Sequence, residues 1–424
     1  MQVDDSPGIA MTRIGIIADD LTGACDTALQ FFNVGFHAVV ALAPTGILAA
    51  EADAIAVSTN SRHCEPDEAY SHVAGAVQRM RAAGIDTFYK KIDSALRGNI
   101  GSELDALANA SGARAVVVAP SFPAHHRTVE QGKLLIKGQP LTDTPLLREH
   151  ALETCAVVEI ISRTTASAIQ SIPLDVIRAG TEHLEAHLLA AVTAGFQILV
   201  CDAVTNGDLE AIACVVGRHT EWQSAGSAGL AAALAQLRDG IPAREKRPVA
   251  RPPMGRRLVV VGSQHPAARA QLECLQETRG VPVIYLSPDA LRLNRTEEIE
   301  RSAQELNSFL KAGTDVALTF APSDLFTQDT KTARSLARAM GEILSRLVPA
   351  PRGLVIAGGN TAMGILEVLE TESAEIIAEV EPGIPALRLH GGRYADATVI
   401  TKAGSFGNRD TLACAYAFLE NELS

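Results

Sequence analysis

Acidic and basic residues collect in two short motifs in the first half of the sequence. Asp19 and Asp20 stand in DDLTGA, and KKIDSALRGN brings lysine, aspartate and arginine together. A carboxylate can orient or deprotonate a hydroxyl group, whereas an arginine beside a lysine suits a bound carboxylate through charge-assisted hydrogen bonds. Helix capping is the alternative for either aspartate, but one cap needs only one carboxylate. The two motifs therefore predict a site for a small hydroxylated acid.

The charged residues of this predicted site follow apolar stretches of sequence. Arg62, in TNSRH, comes just after the run Ala54–Val57, whereas Lys91, Asp93 and Arg97 lie around the end of TFYKKI. Because side chains alternate between the faces of a strand, Lys91 and Asp93 share one face. A structural ion pair between these two is the alternative, but charges collected at a strand end favour a ligand.

The loop PSFPAHHRT adds two adjacent histidines and an arginine. Neighbouring positions on an extended chain point in opposite directions, and no second cluster has the spacing of metal ligands, so zinc is not expected. His126 and Arg127 are retained as candidates for contact with the substrate.

Turns that combine glycine with small hydroxyl or amide residues distinguish the second half of the chain. Glycine lets backbone N–H groups approach phosphate oxygens, and a helix that begins there adds a favourable dipole. Neither the P-loop signature nor a GxGxxG after the first strand occurs. Three glycine turns in one region nevertheless predict a nucleotide or polyphosphate site. They are Gly262-Ser263, Gly358-Gly359-Asn360-Thr361 and Gly404-Ser405-Phe406-Gly407.

All these motifs occupy the same place in a repeated unit of short apolar strand, polar or glycine-rich turn, and amphipathic helix. Such alternation favours parallel sheets, whose ligands bind beyond the carboxyl ends of the strands. The spacing of Ser102 and Asp105 also predicts a capping box. The predicted strands include Arg13–Ala18, Thr87–Ile92, Ala115–Ala119, Leu258–Val261, Leu354–Ala357 and Thr398–Thr401.

The sequence therefore predicts an α/β protein of two domains, each a mostly parallel sheet flanked by helices. A chain of 424 residues is too long for one ordinary core. A stretch rich in proline and arginine, AREKRPVARPPMGRR, separates two regions of strand–helix alternation. We place the domains at 12–240 and 257–424, joined by a basic, proline-rich linker at 241–256.

Composition and charge argue against several classes of protein. Hydrophobic residues make up 47% of the chain and charged residues 20%, which is not the composition of a disordered protein. The net charge of −12 disfavours nucleic acid and anionic membrane as partners. Seven cysteines without a CxxC pair argue against a disulfide framework or a structural zinc site. No apolar run is long enough to span a membrane and no signal-peptide pattern is present, so a cytoplasmic location is expected.

The motifs resemble those of the four-carbon acid sugar kinase family and follow that family's order over nearly the whole chain. The resemblance implies an N-terminal sugar-acid-binding domain, a C-terminal ATP-binding domain and an active site in the cleft between them. It also implies transfer of the γ-phosphoryl group of ATP to the terminal hydroxyl of threonate, erythronate or 3-oxo-tetronate. The matching stretches are IADDLTGACD, KKIDSALRGNIGSEL, PSFPAHHRTVEQGKLLIKGQPLTDT, VCDAVTNGDLEAIA, VVGSQHPAARAQ, GGNTAMG and TKAGSFG.

Carried over residue by residue, the resemblance assigns the charged residues to the acid site and the glycine turns to ATP. Some positions depart from the family pattern: His126 replaces the usual glycine, His265 a small hydroxyl residue and Asn360 an acid, and KAGSFG replaces KSGNFG. The acid site would contain Asp19, Asp20, Arg62, Lys91, Asp93 and Arg97, and ATP would contact Ser263, Gly358, Gly359, Asn360, Thr361, Gly404 and Gly407.

The predicted mechanism depends on positioning and charge compensation more than on covalent chemistry. Arg62, Lys91 and Arg97 would hold the carboxylate and hydroxyls of the acid, while Asp20 accepts the proton of the attacking hydroxyl. Glycine-turn amides, Mg²⁺ and Lys402 would hold the triphosphate. A lyase or dehydrogenase acting on hydroxy acids and a non-catalytic sugar-acid sensor stay open as alternatives. The Mg²⁺ ligands and the oligomeric state also stay open, a homodimer being one option.

Overall fold

The computed structural model describes residues 13–43, 46, 52–144, 154–237, 255–323, 325 and 330–423. With those gaps, they divide into two compact units, the first of residues 13–38 and 52–237 and the second of 39–43, 46 and 255–423. The predicted linker lies outside the described residues except at its last two positions. Within the described part of the chain, no helix is long and apolar enough to cross a membrane.

Strands and helices alternate along both units. The strands are β1 (Ile14–Ala18), β2 (Ala38–Ala41), β3 (Ala54–Ser58), β4 (Phe88–Lys91), β5 (Ala115–Ala119), β6 (Arg127–Glu130), β7 (Lys133–Ile136), β8 (Gln139–Pro140), β9 (Ile169–Ile172), β10 (Ile198–Cys201), β11 (Trp222–Gly226), β12 (Arg257–Val261), β13 (Val283–Leu286), β14 (Val316–Phe320), β15 (Gly353–Ala357), β16 (Ser373–Glu381), β17 (Ile384–His390) and β18 (Thr398–Lys402). The helices are α1 (Leu21–Asn33), α2 (Pro66–Ala82), α3 (Ile100–Ser111), α4 (Val157–Ser162), α5 (Leu174–Arg178), α6 (Thr181–Thr193), α7 (Asn206–Val216), α8 (Ala228–Gln236), α9 (Pro266–Arg279), α10 (Pro288–Leu293), α11 (Arg295–Lys311), α12 (Thr330–Leu344), α13 (Gly359–Val368) and α14 (Thr411–Leu423).

The main sheet of the first unit is parallel throughout. Its strands stand in the order β3-β1-β4-β11-β5-β10-β9. Strand β5 is buried at every residue, as expected for a parallel strand covered on both faces. Strands β6, β7 and β8 form a separate antiparallel sheet. The turn between β6 and β7 has positive φ at both Gln131 and Gly132, the conformation that matches the twist of a two-residue hairpin.

The sheet of the second unit has a parallel part and an antiparallel part. Strands β13, β14, β12, β15 and β18 run parallel, and β17, β16 and β2 continue the sheet in antiparallel fashion. Strand β2 comes from the N-terminal half of the chain, where Val40 pairs with Ala374 and Leu42 N donates to Glu372 O at 2.9 Å. A division of the chain into two consecutive domains does not predict that a strand from the N-terminal half joins the sheet of the second unit.

The predicted fold class is confirmed, since both units are α/β with mostly parallel sheets. Each strand named from the sequence ends within one residue of the observed limit. The predicted capping box is wrong, because α3 begins at Ile100 and Ser102 Oγ donates to Asn99 O within its first turn. The carboxylate of Asp105 instead accepts hydrogen bonds from Thr165 and Ser167, each at 2.7 Å.

Candidate active site

The charged residues of the first unit lie beyond the carboxyl ends of three neighbouring strands. In the parallel register, Ala18 at the end of β1 stands beside Ser58 of β3 and Lys91 of β4. The segments that follow these strands therefore begin side by side, and they carry Asp19, Arg62 and Asp93 into one cluster. We refer to Asp19, Asp20, Arg62, Lys91, Asp93 and Arg97 as the charged cluster.

Arg62 joins the two aspartates of DDLTGA. Its Nε and Nη2 donate to the two oxygens of Asp19 at 2.7 and 2.9 Å, and its Nη1 lies 2.7 Å from Asp20 Oδ2. Burial alone would raise the pKa of Asp19, but the charge and hydrogen bonds of Arg62 lower it, helped by Lys90 and Lys91. Burial opposes the charge of Arg62 as well, yet Asp19, Asp20 and Asp93 raise its pKa well above the usual value. Asp19 is therefore an anion and Arg62 a cation at neutral pH.

Asp20 fills the capping role that the sequence offered as one of two alternatives. It is the N-cap of α1, and its Oδ1 accepts a hydrogen bond from Gly23 N at 2.7 Å. Its side chain is 22% exposed, compared with 2% for Asp19, so of the two carboxylates it is the more accessible.

Asp93 organises the turn after β4. Its Oδ2 accepts hydrogen bonds from the backbone N–H groups of Ala95 and Arg97, and the Arg97 guanidinium forks onto both carboxylate oxygens at 2.7 and 2.8 Å. Burial would raise the pKa of Asp93, but the Arg97 hydrogen bond and the charges of Arg62, Arg97 and Lys91 hold it far below the usual range. Asp93 thus pairs closely with Arg97, and at 4.0 Å with Arg62 Nη2, rather than with Lys91, which was the alternative drawn from the sequence.

Lys91 lies against the first turn of α1. Its Nζ donates to Ile92 O at 2.9 Å, and its side chain is buried. A Cβ atom at Gly23 would stand 3.4 Å from Lys91 Nζ and 2.8 Å from Asp20 Oδ1. The glycine of DDLTGA therefore leaves room for both the lysine and the capping carboxylate.

Arg127 begins β6, next to His126, which has a left-handed backbone with φ of 54°. A glycine would adopt this conformation without strain, and histidine is one of the residues that tolerate it. Burial lowers the pKa of the Arg127 guanidinium, Asp93 raises it and Arg97 lowers it, so Arg127 lies within electrostatic reach of the charged cluster. Among the described residues, His126 forms no hydrogen bond or ion pair with a member of that cluster.

Sequence reasoning missed a buried network behind the charged cluster. Lys90 Nζ lies 3.0 Å from Glu103 Oε2, and Ser61 donates a short hydrogen bond to the other oxygen of Glu103. Asn99 Nδ2 donates to Ser61 O and Cys64 O, at 3.2 and 2.7 Å. These contacts hold the loop that carries Arg62. The two adjacent lysines of KKID were the available signal for this network. Because side chains alternate between the faces of a strand, Lys90 must point away from Lys91 and needs a partner of its own.

The three glycine turns of the second unit follow the adjacent strands β12, β15 and β18. Val261, Ala357 and Lys402 stand side by side at the carboxyl ends of these strands. The turns are packed closely: a Cβ at Gly404 would collide with Ser263, and a Cβ at Gly262 would collide with Thr361. The structure thus brings the predicted nucleotide residues into three contiguous turns.

Helix α13 begins at the middle glycine turn. Its N-cap is Gly358, with φ of 120°, which offers no side chain to its first N–H groups. Gly359 and Asn360 open the helix, and Thr361 is buried beneath them. An uncapped helix N-terminus presents N–H donors and a positive dipole, which suit a phosphate. The neighbouring turn differs, because His265 caps α9 by accepting from Ala267 N through Nδ1.

Lys402 is buried at the end of β18, where only 1% of it is exposed. Its Nζ donates to Ala403 O at 2.8 Å. Burial lowers the pKa of Lys402 to about 8, against the opposing effect of Glu381. The lysine is therefore charged at neutral pH, and a phosphate contact would require its side chain to turn away from this carbonyl.

Glu381 and Asp410 could offer oxygen ligands to a cation near the start of α14. Their carboxylates and the Cys414 thiol lie within 4.8 Å of one another, and Glu381 also accepts from Thr411 Oγ1 at 2.7 Å. Burial and the Glu381 hydrogen bond raise the pKa of Cys414 to about 11, so the thiol stays protonated. Carboxylate oxygens without a thiolate fit Mg²⁺, which takes one or two carboxylates together with substrate phosphates.

Comparison with protein families matches the two parts of the chain separately. Residues 14–234 match a sugar-binding N-terminal domain, and residues 258–412 match a nucleotide-binding C-terminal domain. The chain also resembles a solved structure from Salmonella typhimurium, with a TM-score of 0.79 and 24% identity over 95% of this chain and 98% of the other. That likeness shows the fold alone.

Curated relatives match over nearly their whole length. A D-threonate kinase of Bordetella bronchiseptica is 35% identical, covering 94% of this chain and 95% of the relative. A D-erythronate kinase of Heliobacterium modesticaldum is 29% identical over 98% of both chains. A 3-oxo-tetronate kinase of Methylobacterium radiotolerans is 28% identical, covering 94% of this chain and 97% of the relative.

Proposed function

Because the chain belongs to the four-carbon acid sugar kinase family, we propose that it transfers the γ-phosphoryl group of ATP to the terminal hydroxyl of a four-carbon sugar acid. Threonate, erythronate and 3-oxo-tetronate are the candidate substrates, since the curated relatives are named for them. These kinase relatives give no support to the lyase, dehydrogenase or sensor alternatives.

One observation carries the proposal most directly. The charged cluster of the first unit and the glycine turns of the second each lie beyond the carboxyl ends of adjacent parallel strands. This is the position at which open α/β sheets bind ligands. The charges suit a hydroxy acid and the uncapped α13 suits a phosphate chain. That the two sites face each other across a cleft stays a prediction.

The residues of the first unit would position the acid for attack. Asp20 would orient the terminal hydroxyl and accept its proton, with Arg62 and the α1 N-terminus holding the carboxylate of Asp20 in place. The charge of Lys91 would compensate the negative charge that builds up on the transferred group. His126 stands where a glycine is usual in the family, and we assign it to the choice among four-carbon acids.

The residues of the second unit would hold ATP. The side chain of Ser263 and the backbone N–H groups of Gly359 and Asn360, with Gly404 and Gly407 in the third turn, would contact the phosphates, because Ser263 N already donates to Ala357 O. Mg²⁺ bound to the triphosphate would neutralise charge on the phosphoryl oxygens. We propose Lys402 as a further phosphate contact, through rotation of its buried side chain toward the turns.

The decisive experiment is a coupled assay for ADP with ATP, Mg²⁺ and a panel of four-carbon acids. We expect ADP release that depends on the acid and a product phosphorylated at the terminal carbon. If the protein binds ATP but none of the acids leads to ADP release, the proposed reaction is contradicted. A cytoplasmic location and a homodimer stay predictions, which fractionation and light scattering would test.

A further inference from the structure

The arginines of the charged cluster already face carboxylates of the protein. All three guanidinium nitrogens of Arg62 contact Asp19 or Asp20, and Arg97 is forked onto Asp93. A substrate carboxylate would have to compete with these short contacts. Such internally paired arginines hold the three aspartates in place, and they are poor candidates for the group that recognises the acid.

Arg127 differs from both arginines. Its Nε is buried and donates no hydrogen bond, and the bond that its Nη1 donates to His125 O is long at 3.4 Å. Among the described residues, no carboxylate lies within the 4.0 Å ion-pair distance of its guanidinium. A half-buried guanidinium whose Nε is buried without a hydrogen bond is costly, and an anionic ligand would offset that cost.

The backbone around Arg127 is fixed. Arg127 N donates to Phe122 O at 3.1 Å, and Phe122 N donates to Arg127 O at 2.7 Å. Further along the hairpin, Val129 and Ala203 exchange two hydrogen bonds of 2.9 Å, and Gly132 N donates to Asp202 Oδ1 at 2.9 Å. The hairpin is thus anchored to the segment after β10, and Arg127 is presented without the entropy loss of ordering a loop.

Lys91 is a second cation that forms no ion pair with the described residues, and it lies beside Asp20. The Gly23 position is close to both Lys91 Nζ and Asp20 Oδ1, which places this lysine beside the proposed base. Arg127 instead interacts electrostatically with Asp93 and Arg97. The charge of Lys91 acts on Asp93 as well. What distinguishes the two cations is that Lys91 also lies beside Asp20, around the Gly23 position.

We propose that Arg127 binds the carboxylate of the substrate and so directs its terminal hydroxyl toward Asp20 and Lys91. This inference rests on the proposed function and adds the orientation of the acid to it. A planar guanidinium can bind a carboxylate through two parallel hydrogen bonds, a geometry that lysine cannot reproduce.

The test compares each acid with its neutral carboxamide. We expect the unsubstituted protein to prefer threonate or erythronate over the amide by about 100-fold in kcat/KM, as a charge-assisted pair implies. Arg127→Met should lose most of that preference, chiefly through a higher KM for the acid. Lys91→Met should keep the preference while lowering kcat. Arg114→Met, at the exposed amino end of β5, is the matched control and should change neither.

The outcomes separate this inference from the proposed function. If no four-carbon acid supports ADP release by the unsubstituted protein, the proposed function fails and the inference fails with it. If the unsubstituted protein is active and Arg127→Met retains the preference for acid over amide, only the inference is overturned. Should the Met variant not fold, Arg127→Lys decides, with a preference reduced at least tenfold expected and an unchanged preference contradicting the inference.

Discussion

Paired charges and one uncapped helix define the candidate sites at the level of single residues. Asp19 and Asp93 are buried carboxylates whose charge is maintained by forked arginines. Asp20 shares the same arginine but remains partly exposed. The low pKa values of Asp19 and Asp93 contribute stability at neutral pH, and that contribution is lost as acid protonates them below about pH 4.

Asp20→Asn should separate the chemical role of this residue from its capping role. Asparagine caps helices about as well as aspartate, so the melting temperature should change little. The loss of the base should lower kcat by about 100-fold or more while ATP affinity is retained. Steady-state kinetics and calorimetric titration with ATP are the measurements. Near-normal turnover would remove Asp20 from the role of base.

Lys402→Met should make the protein more stable and its nucleotide binding weaker. A lysine whose pKa falls from 10.5 to about 8 on burial costs the folded state roughly 3 kcal/mol at pH 7. Above pH 8 the folded protein releases this proton before the unfolded chain does, so the cost fades towards pH 10.5. Denaturant unfolding should show a larger difference in unfolding free energy between the variant and the unsubstituted protein at pH 7 than at pH 9.5. An equally stable variant with unchanged ATP affinity would leave Lys402 without the proposed role.

Elements position these residues in a way that the sequence reveals only in part. Apolar runs followed by polar or glycine-rich turns predicted β5 at its observed limits and placed the charged residues at strand ends. The partner of Lys90 could not be predicted, because Glu103 meets it only after α3 has docked on the sheet. Ser102 has the spacing of a cap, but the N-cap position of α3 is Asn99, three residues earlier. Local pattern fixes strand ends, whereas contacts between elements depend on packing.

The Lys90–Glu103 pair should act through the loop that bears Arg62. Glu103→Gln leaves a buried lysine without its counter-ion and should cost about 3 kcal/mol of unfolding free energy. The double variant Lys90→Met with Glu103→Leu should recover most of this stability, because an apolar pair of similar volume fills the site. Its kcat/KM for the acid should nevertheless stay several-fold low, since Ser61 has lost its acceptor. Full activity of the double variant would contradict an effect of the pair on the Arg62 loop and leave it a packing role alone.

The molecule as a whole consists of two α/β units whose sheets do not follow the order of the chain. The described segment 39–43 belongs to the second unit and pairs with β16, although residues 13–38 and 52–237 belong to the first. No signal in the sequence announced this, because AVVA reads like any other short apolar strand. Which strand β2 pairs with depends on which sheet edge is available in the folded protein, and the local sequence of β2 does not contain that information.

A substitution in β2 should therefore disturb the second unit. Val40 is fully buried and stands beside Ala374 of β16, so Val40→Asp should cost about 3 kcal/mol. Hydrogen exchange should accelerate at residues 373–376 more than in β4 or β11. Val117→Asp, a matched change in the buried β5 of the first unit, should accelerate hydrogen exchange in β4 and β11 more than at residues 373–376. Equal protection of β16 in both variants would contradict the assignment of β2.

The crossing of β2 has a practical bearing on chimaeras between relatives of different substrate preference. A graft that joins one protein's residues 1–240 to another's nucleotide half carries a foreign strand into the recipient sheet, where its side chains must fit Ala374 and its neighbours. Poor fit there would appear as insolubility, easily mistaken for incompatible catalysis. Exchanging residues 39–49 together with the C-terminal half keeps the native pairing of β2 with β16. The same pairing means that β16, which is synthesised late, must find a partner made some 330 residues earlier.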